Sequence, residues 1–340
     1  AAKLDDLLHA AVNSRGGFFS AADPETFATE LSGVLKNIVA RVSASGTAAA
    51  TSSAVLQSDT LLYTASFRST DWSGTLVARE VSGTDGAAGV LKWDAEQILS
   101  STLPSARKIF TSKQALLGRE GVSLSGVLDA AQLAALSVNP TGAAATTATA
   151  ADRVAWLRGT EHPGLRSRVV DGVTRRIGDL VNSDPQFMFK RDFGNTLLGG
   201  AERSSYITFR NSATYKARPD TLFVGSNGGM LHAFHAGTPY IDNPLTVAVD
   251  EIIDPDAGKE LFAYIPSELL LPGVTGAHAQ INQLMRPDYT RRPYVDGSPA
   301  VADAYWDSSW KSVLVGSMGA GGRTVFALDV TDPESFDAAK

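Results

Sequence analysis

A period of two governs this chain from about residue 60 onward, and it is clearest in two stretches of matching design. In Thr221–Pro239, TLFVGSNGGMLHAFHAGTP, and Ser312–Pro333, SVLVGSMGAGGRTVFALDVTDP, an apolar strand ends in Val-Gly-Ser. A glycine turn follows, then a second strand with Ala at its centre. Superposed, Met230–Ala236 falls on Thr324–Val330, so Ala233 meets Ala327 and His235 meets Asp329. Val325, Ala327 and Asp329 alternate with Phe326, Leu328 and Val330, which predicts strands with two distinct faces. Two hairpins of one design predict internal repetition. The central Ala lets another sheet approach closely, and the pattern predicts inner strand pairs of β-propeller blades.

The flanking segments extend this reading. Leu4, Leu7, Leu8, Ala11 and Val12 fall at helical spacing up to Gly16-Gly17, and Asp23-Pro24-Glu25 opens a second helix whose apolar face is Phe27, Leu31, Val34, Leu35 and Ile38. Residues 1–45 are therefore expected to form a helical lead-in and residues 46–340 the β domain. LLYTASF, SGTLVAREV and GVLKWDA predict most of a four-stranded meander, and Lys108–Thr111 starts another strand. Helices are expected over 124–136 and 152–158, with an Ala/Thr/Gly loop over 137–151 between them. One repeat unit spans 185–265, with an insertion at Gly237–Lys259 and ELFAYI as its fourth strand; the next begins near 299. The segments make roughly three to four blades, short of comfortable closure, so the propeller is expected to continue beyond Lys340.

Composition narrows the function classes. A hydrophobic content of 44% over 340 residues suffices for a full β core with appendages. The net charge of −6, scattered rather than blocked, argues against a nucleic-acid surface. No apolar run approaches the roughly 20 residues that span a bilayer. Ala1–Asp6 has neither the basic start nor the apolar core of a signal peptide, as expected of a mature or excised piece. The absence of cysteine removes disulfides, zinc thiolates and thiol catalysis.

Several segments, in order, carry a family resemblance: DDLLHAAVNSRG at 5–16, Trp72-Ser73-Gly74, Gly178–Ser183, FVGSNGGMLHAF, Tyr294–Pro299, and VLVGSMGAGGRTVFALDVTDP. Together they make the chain similar to the C-terminal part of the PilY1/PilC proteins of type IV pili. The resemblance implies a mainly β fold, a modified quinoprotein-like β-propeller of roughly seven blades, here partial, with helical and loop insertions. It implies a pilus assembly factor and tip adhesin supporting attachment and twitching motility, and no enzyme. Implied partners are major and minor pilins and a host or abiotic surface, at the cell surface, pilus tip or outer membrane after export through the periplasm. It also implies calcium as the one candidate cofactor, although no DxDxDG run is present. The sequence departs from the family in having Asn227-Gly228-Gly229 for Asn-Asp-Gly and Phe234-His235 for Phe-Asp. Gly228 still suits a hairpin turn, while the missing Asp puts the rigidity of the following turn in question.

Candidate chemistry is sparse. GSMGAGGRT at 316–324 lacks the Lys and the following helix of a phosphate loop, so it is read as a hairpin loop. His232 and His235 lie on opposite strand faces and cannot share an ion. Asp5 and His9 sit one helical turn apart without a third ligand. Asp250, Glu251, Asp254, Asp256 and Glu260 crowd one insertion; Asp254, Asp256 and Glu260 are the weak candidates for a metal, though their oxygens fall short of calcium's six to eight. Trp72, Trp93, Trp306 and Trp310 are read as blade packing rather than sugar platforms. Ser226 turns between strands, unlike a nucleophile elbow, and no catalytic residue is assigned. The alternative reading is a quinoprotein-type dehydrogenase, whose vicinal cysteines are impossible here.

Overall fold

The alternating stretches fold as three sheets stacked face to face. The computed structural model describes residues 44–51, 61–81, 86–116, 118–126, 128–237, 254–274 and 276–338, with side chains from residue 61 onward. Gly46–Lys340 forms one compact unit. The expected lead-in helices, with Asp5 and His9, lie outside the described residues.

Sheet I is the meander β1 (Ala44–Thr51), β2 (Leu61–Arg68), β3 (Ser73–Val81) and β4 (Ala88–Asp94), in that spatial order. Asp94 then caps helix α1 (Ala95–Ser101), accepting hydrogen bonds from the Glu96 and Gln97 amides. Next come β5 (Ile109–Ala115) and β6 (Gly118–Ser123), helices α2 (Ala130–Ser137) and α3 (Ala150–Arg158), and a short hairpin of β7 (Val169–Val170) and β8 (Val173–Thr174). The helix expected over 124–136 is thus shorter. The chain turns through Gly126, and Asp129 and Gln132 form a capping box that opens α2 at Ala130.

The predicted repeat unit is present. It comprises β9 (Gln186–Met188), β10 (Thr221–Ser226), β11 (Met230–His235) and β12 (Glu260–Tyr264), all antiparallel, and β5 joins β12 in parallel to complete a six-stranded sheet II. Between β9 and β10 sit helices α4 (Gly200–Asn211) and α5 (Ala213–Ala217), which alternation did not foretell. Sheet III contains β13 (Ala300–Trp306), β14 (Ser309–Ser317) and β15 (Val325–Asp329). The 316–324 segment is a hairpin loop with a single 3-10 turn, as its sequence predicts.

Burial shows the stacking. One face of sheet II, with Leu222, Val224 and Phe234, shares a core with Tyr63, Leu76 and Trp93 of sheet I. Its other face, with Phe223, Leu231, Ala233 and Phe262, shares a core with Val301, Leu314, Phe326 and Leu328 of sheet III. Sheet II is therefore buried on both sides, as a blade between two others must be. Ala233 is fully buried, which fits the close approach expected of it. Ala327, its counterpart, is exposed beside Val315 and Val325, because no described segment covers that face of sheet III. The three sheets form an open stack of blades, the mainly β architecture of a partial propeller.

Candidate functional site

Four of the segments that carry the resemblance meet in space. Asn227, in the turn between β10 and β11, is 1% exposed and lies at their centre. Its Nδ2 donates to Asp179 Oδ2 at 2.8 Å and to Asp296 Oδ1 at 2.9 Å, while its Oδ1 accepts the Tyr294 amide at 2.8 Å. The second oxygen of Asp296 accepts Asn182 Nδ2 at 2.7 Å, and Arg291 donates Nε and Nη2 to Asp179. Ser183 Oγ accepts the Gly225 amide and donates to the Gly297 carbonyl. Gly74 donates its amide to the Ile177 carbonyl. Residues from the 72–74, 178–183, 225–228 and 294–297 segments thus form one network that joins all three sheets.

Glycine makes the closest crossing possible. A Cβ on Gly178 would collide with the backbone of Gly228, and no rotamer change relieves backbone against backbone. That crossing requires Gly at 178, whereas a Cβ on Gly228 would meet the Gly178 backbone at 3.0 Å, a tight contact rather than a collision. The left-handed residue of the turn is Gly229, with φ of 85°, rather than Gly228.

The second departure from the family is compensated. His235 Nδ1 accepts the Gly237 amide at 3.1 Å. Asp329, its counterpart, accepts the Thr331 amide at 3.0 Å, also two residues on. The imidazole therefore supplies the same local brace as the carboxylate, and the turn is held.

The residues singled out for metal do not converge. Asp254 Oδ1 accepts the Asp256 amide, and Asp256 pairs with Lys259 at 2.5 Å on an exposed turn. Glu260 points inward, 3% exposed in its side chain; Arg107 grips it through Nε at 2.7 Å and Nη2 at 2.8 Å, and His232 Nδ1 lies 2.8 Å from it. Burial pushes this carboxyl up, but Arg107 and the His232 hydrogen bond override it and hold it at about 2. With both oxygens engaged, Glu260 does not fit a calcium donor set, and among the described residues no three His, Asp or Glu side chains are grouped for a metal. His232 faces this buried pair while His235 faces Asp254, as opposite strand faces require. Asp250 and Glu251 lie outside the described residues.

The tryptophans divide. Trp93 is buried and donates Nε1 to the Ala236 carbonyl, and Trp310 packs on Tyr206. Trp72 stacks on Phe67. Trp306 is instead 70% exposed at the end of β13, so packing does not account for it, while its neighbour Tyr305 meets the Trp310 ring edge-on at 5.5 Å. A second polar cluster escaped the sequence reading. Asp303 accepts hydrogen bonds from Tyr206 Oη and Ser312 Oγ, and Arg218 donates to Ser312 while lying over the Tyr215 ring. It anchors α4 and α5 to sheet III. The only local signal was a pair of tyrosines in a polar stretch.

A model of the PilY1 beta-propeller domain matches residues 177–340. The type IV pilus biogenesis factor PilY1 of Pseudomonas aeruginosa strain UCBPP-PA14 is 32% identical over 346 residues, covering 97% of this chain and 27% of the relative. That of strain PAO1 is 34% identical over 352 residues, with the same coverage. A PilY1 homolog of Xylella fastidiosa strain Temecula1 is 33% identical over 264 residues, 76% of this chain and 15% of the relative. The crystal structure of the P. aeruginosa PilY1 C-terminal domain is 37% identical over 38% of this chain and 18% of that one, with a TM-score of 0.23, too low to compare sheet arrangement. The chain spans 27% of the length of the first of these relatives.

Proposed function

The chain belongs to the PilY1 family, with residues 177–340 in its β-propeller domain, and from that premise we propose that it serves type IV pilus biogenesis as a protein-binding module. The observation that supports this most is similarity along 97% of the chain to proteins named as pilus biogenesis factors. The network around Asn227 suits such a role, because it locks the sheets into a rigid platform from which loops are presented. Pilins are the proposed partners, the pilus or cell surface the proposed location, and attachment and twitching the proposed outcomes. No helix among the described residues is long and apolar enough to cross a membrane.

No enzymatic step is proposed. The polar groups of the network are engaged in holding sheets together, and Ser226 sits in a strand-to-strand turn with its Oγ accepting the Gly228 amide. Calcium, if the module uses it, is proposed to bind away from Asp254, Asp256 and Glu260.

The test is deletion of the parent gene and complementation with the full-length protein, followed by shearing of surface pili. Loss of pili and twitching on deletion, recovery on complementation, and pilins co-purifying with the protein are the expected results. Normal piliation in the deletion strain, with no pilin bound, would overturn the reading. Repeating the purification with a chelator tests the metal: release of pilins, reversed by added calcium, would assign it a part in assembly.

A further inference from the structure

The tight hairpin β7–β8 concentrates positive charge beside the Asn227 network. Its turn is Asp171-Gly172, both with positive φ, as a two-residue hairpin requires. The sequence around it, RSRVVDGVTRR, brings Arg166, Arg168, Arg175 and Arg176 to the wall of one cleft of about 50 Å³, closed on its other sides by Trp72, Trp156 and Tyr289. That volume admits a few water-sized groups.

Two of these guanidinium groups are fixed by stacking on aromatic rings, Arg168 with a carboxylate beside it as well. Arg166 lies 4.1 Å over the Tyr289 ring and donates Nη2 to the Asp71 carbonyl at 2.7 Å. Arg168 lies 3.7 Å over the Trp156 ring and donates Nη2 to the Trp156 carbonyl at 2.6 Å, with Glu161 3.6 Å from its Nε. Arg176 donates to the Leu99 and Thr102 carbonyls. The Nε atoms of Arg175 and Arg176 are buried without a hydrogen-bond partner, while Arg168 Nε faces Glu161, and buried donors left open in this way call for an acceptor.

Apart from Glu161 beside Arg168, the acids nearby have other hydrogen-bond partners. Asp179 is held by Arg291 and Asn227, and Asp71 accepts the Ser73 amide and hydroxyl. Glu96 accepts the amides of Arg176 and Ile177. Burial pushes the Glu96 carboxyl up to about 7, which weakens it as a counter-charge near neutral pH. Burial also draws Arg168 down to about 9 and lowers Arg166 and Arg176, with neighbouring carboxylates offsetting only part of it.

We propose that this cleft is a receptor for one small oxyanion, a carboxylate or phosphate group, held by Arg166, Arg168 and Arg175. Stacked, planar guanidinium groups present fixed N–H edges that suit such a group. The cleft is too small for a nucleotide or an organic cofactor. The oxyanion could come from a free ion or from an acidic side chain of a bound protein, and the two are separable by titration.

The experiment is calorimetric titration of the full chain at low chloride with two probes, inorganic phosphate and the blocked peptide N-acetyl-Gly-Glu-Gly-amide. Saturable one-to-one binding is expected for at least one probe. It should weaken at least tenfold in R175Q and stay unchanged in R203Q, the same charge change on exposed α4. Tighter phosphate binding would assign a free ion, and tighter peptide binding a protein carboxylate. Should R175Q melt early, R175K is read in its place: it keeps the charge and loses the fork, so binding should weaken without vanishing. Failure of both probes to saturate, or equal affinity in the Arg175 and Arg203 variants, would overturn the proposal while leaving the pilus reading intact.

Discussion

Single side chains hold this fold at two buried polar knots. Asn227 satisfies Asp179, Asp296 and the Tyr294 amide at once, so Asn227→Ala leaves two buried carboxylates and an amide short of partners. A loss of about 3 kcal/mol in urea unfolding is expected. Glu260 and Arg107 are a buried ion pair, and breaking one partner costs more than the pair contributes: Glu260→Gln should lose roughly 3–5 kcal/mol. Their pH behaviour differs from that of Glu96. Glu260, held at about 2 against an ordinary 4.5, contributes stability that is present above pH 4.5 and lost as pH falls through 2. Glu96, raised to about 7, contributes stability that is full below pH 4.5 and lost as pH rises through 7. Unfolding measured at pH 4.5 and pH 7.5 should show a fall for the wild type that Glu96→Gln largely removes.

At the scale of strands and helices, what surrounds a position decides its worth more than its residue type does. Trp93 closes the core between sheets I and II, and Trp93→Ala should cost about 3–5 kcal/mol. Trp306 stands in solvent at the end of β13, and Trp306→Ser should change stability by no more than about 0.5 kcal/mol. Thermal melts of the two variants side by side would check the contrast. Alternation marked both as strand residues but did not say which face would be covered. The helices α4 and α5 were illegible for a related reason. Their anchors, Tyr206 and Tyr215, reach Asp303, 97 and 88 residues away, so no local period reports them.

Over the described residues, four of the motif segments act as joints between sheets. Gly178 shows this most directly: Gly178→Ala pushes the segment around 178 away from the Asn227 turn, and should loosen sheet I from sheet II. Hydrogen exchange is expected to rise in both sheets together, whereas a purely local effect would confine it to residues near 178. The same rigidity argument underlies the pilus reading, since a binding platform needs fixed loops. The arginine cleft opens between these joints, where an oxyanion would draw Trp72, Trp156 and the β7–β8 hairpin together.

Local sequence decided the two matching hairpins, their turns and the repeat. Side-chain alternation and glycine placement act within a few residues, so the hairpins Thr221–His235 and Ser312–Asp329 were readable in full. The family was also legible, because its segments keep their order along the chain. Tertiary structure alone decided that Ala233 is buried and Ala327 exposed, that Glu260 meets Arg107 across 153 residues, and that four scattered motifs share one network. Those outcomes depend on which distant segments the closing loops bring together. Period and propensity describe the face a residue occupies, and only packing decides what lies against that face.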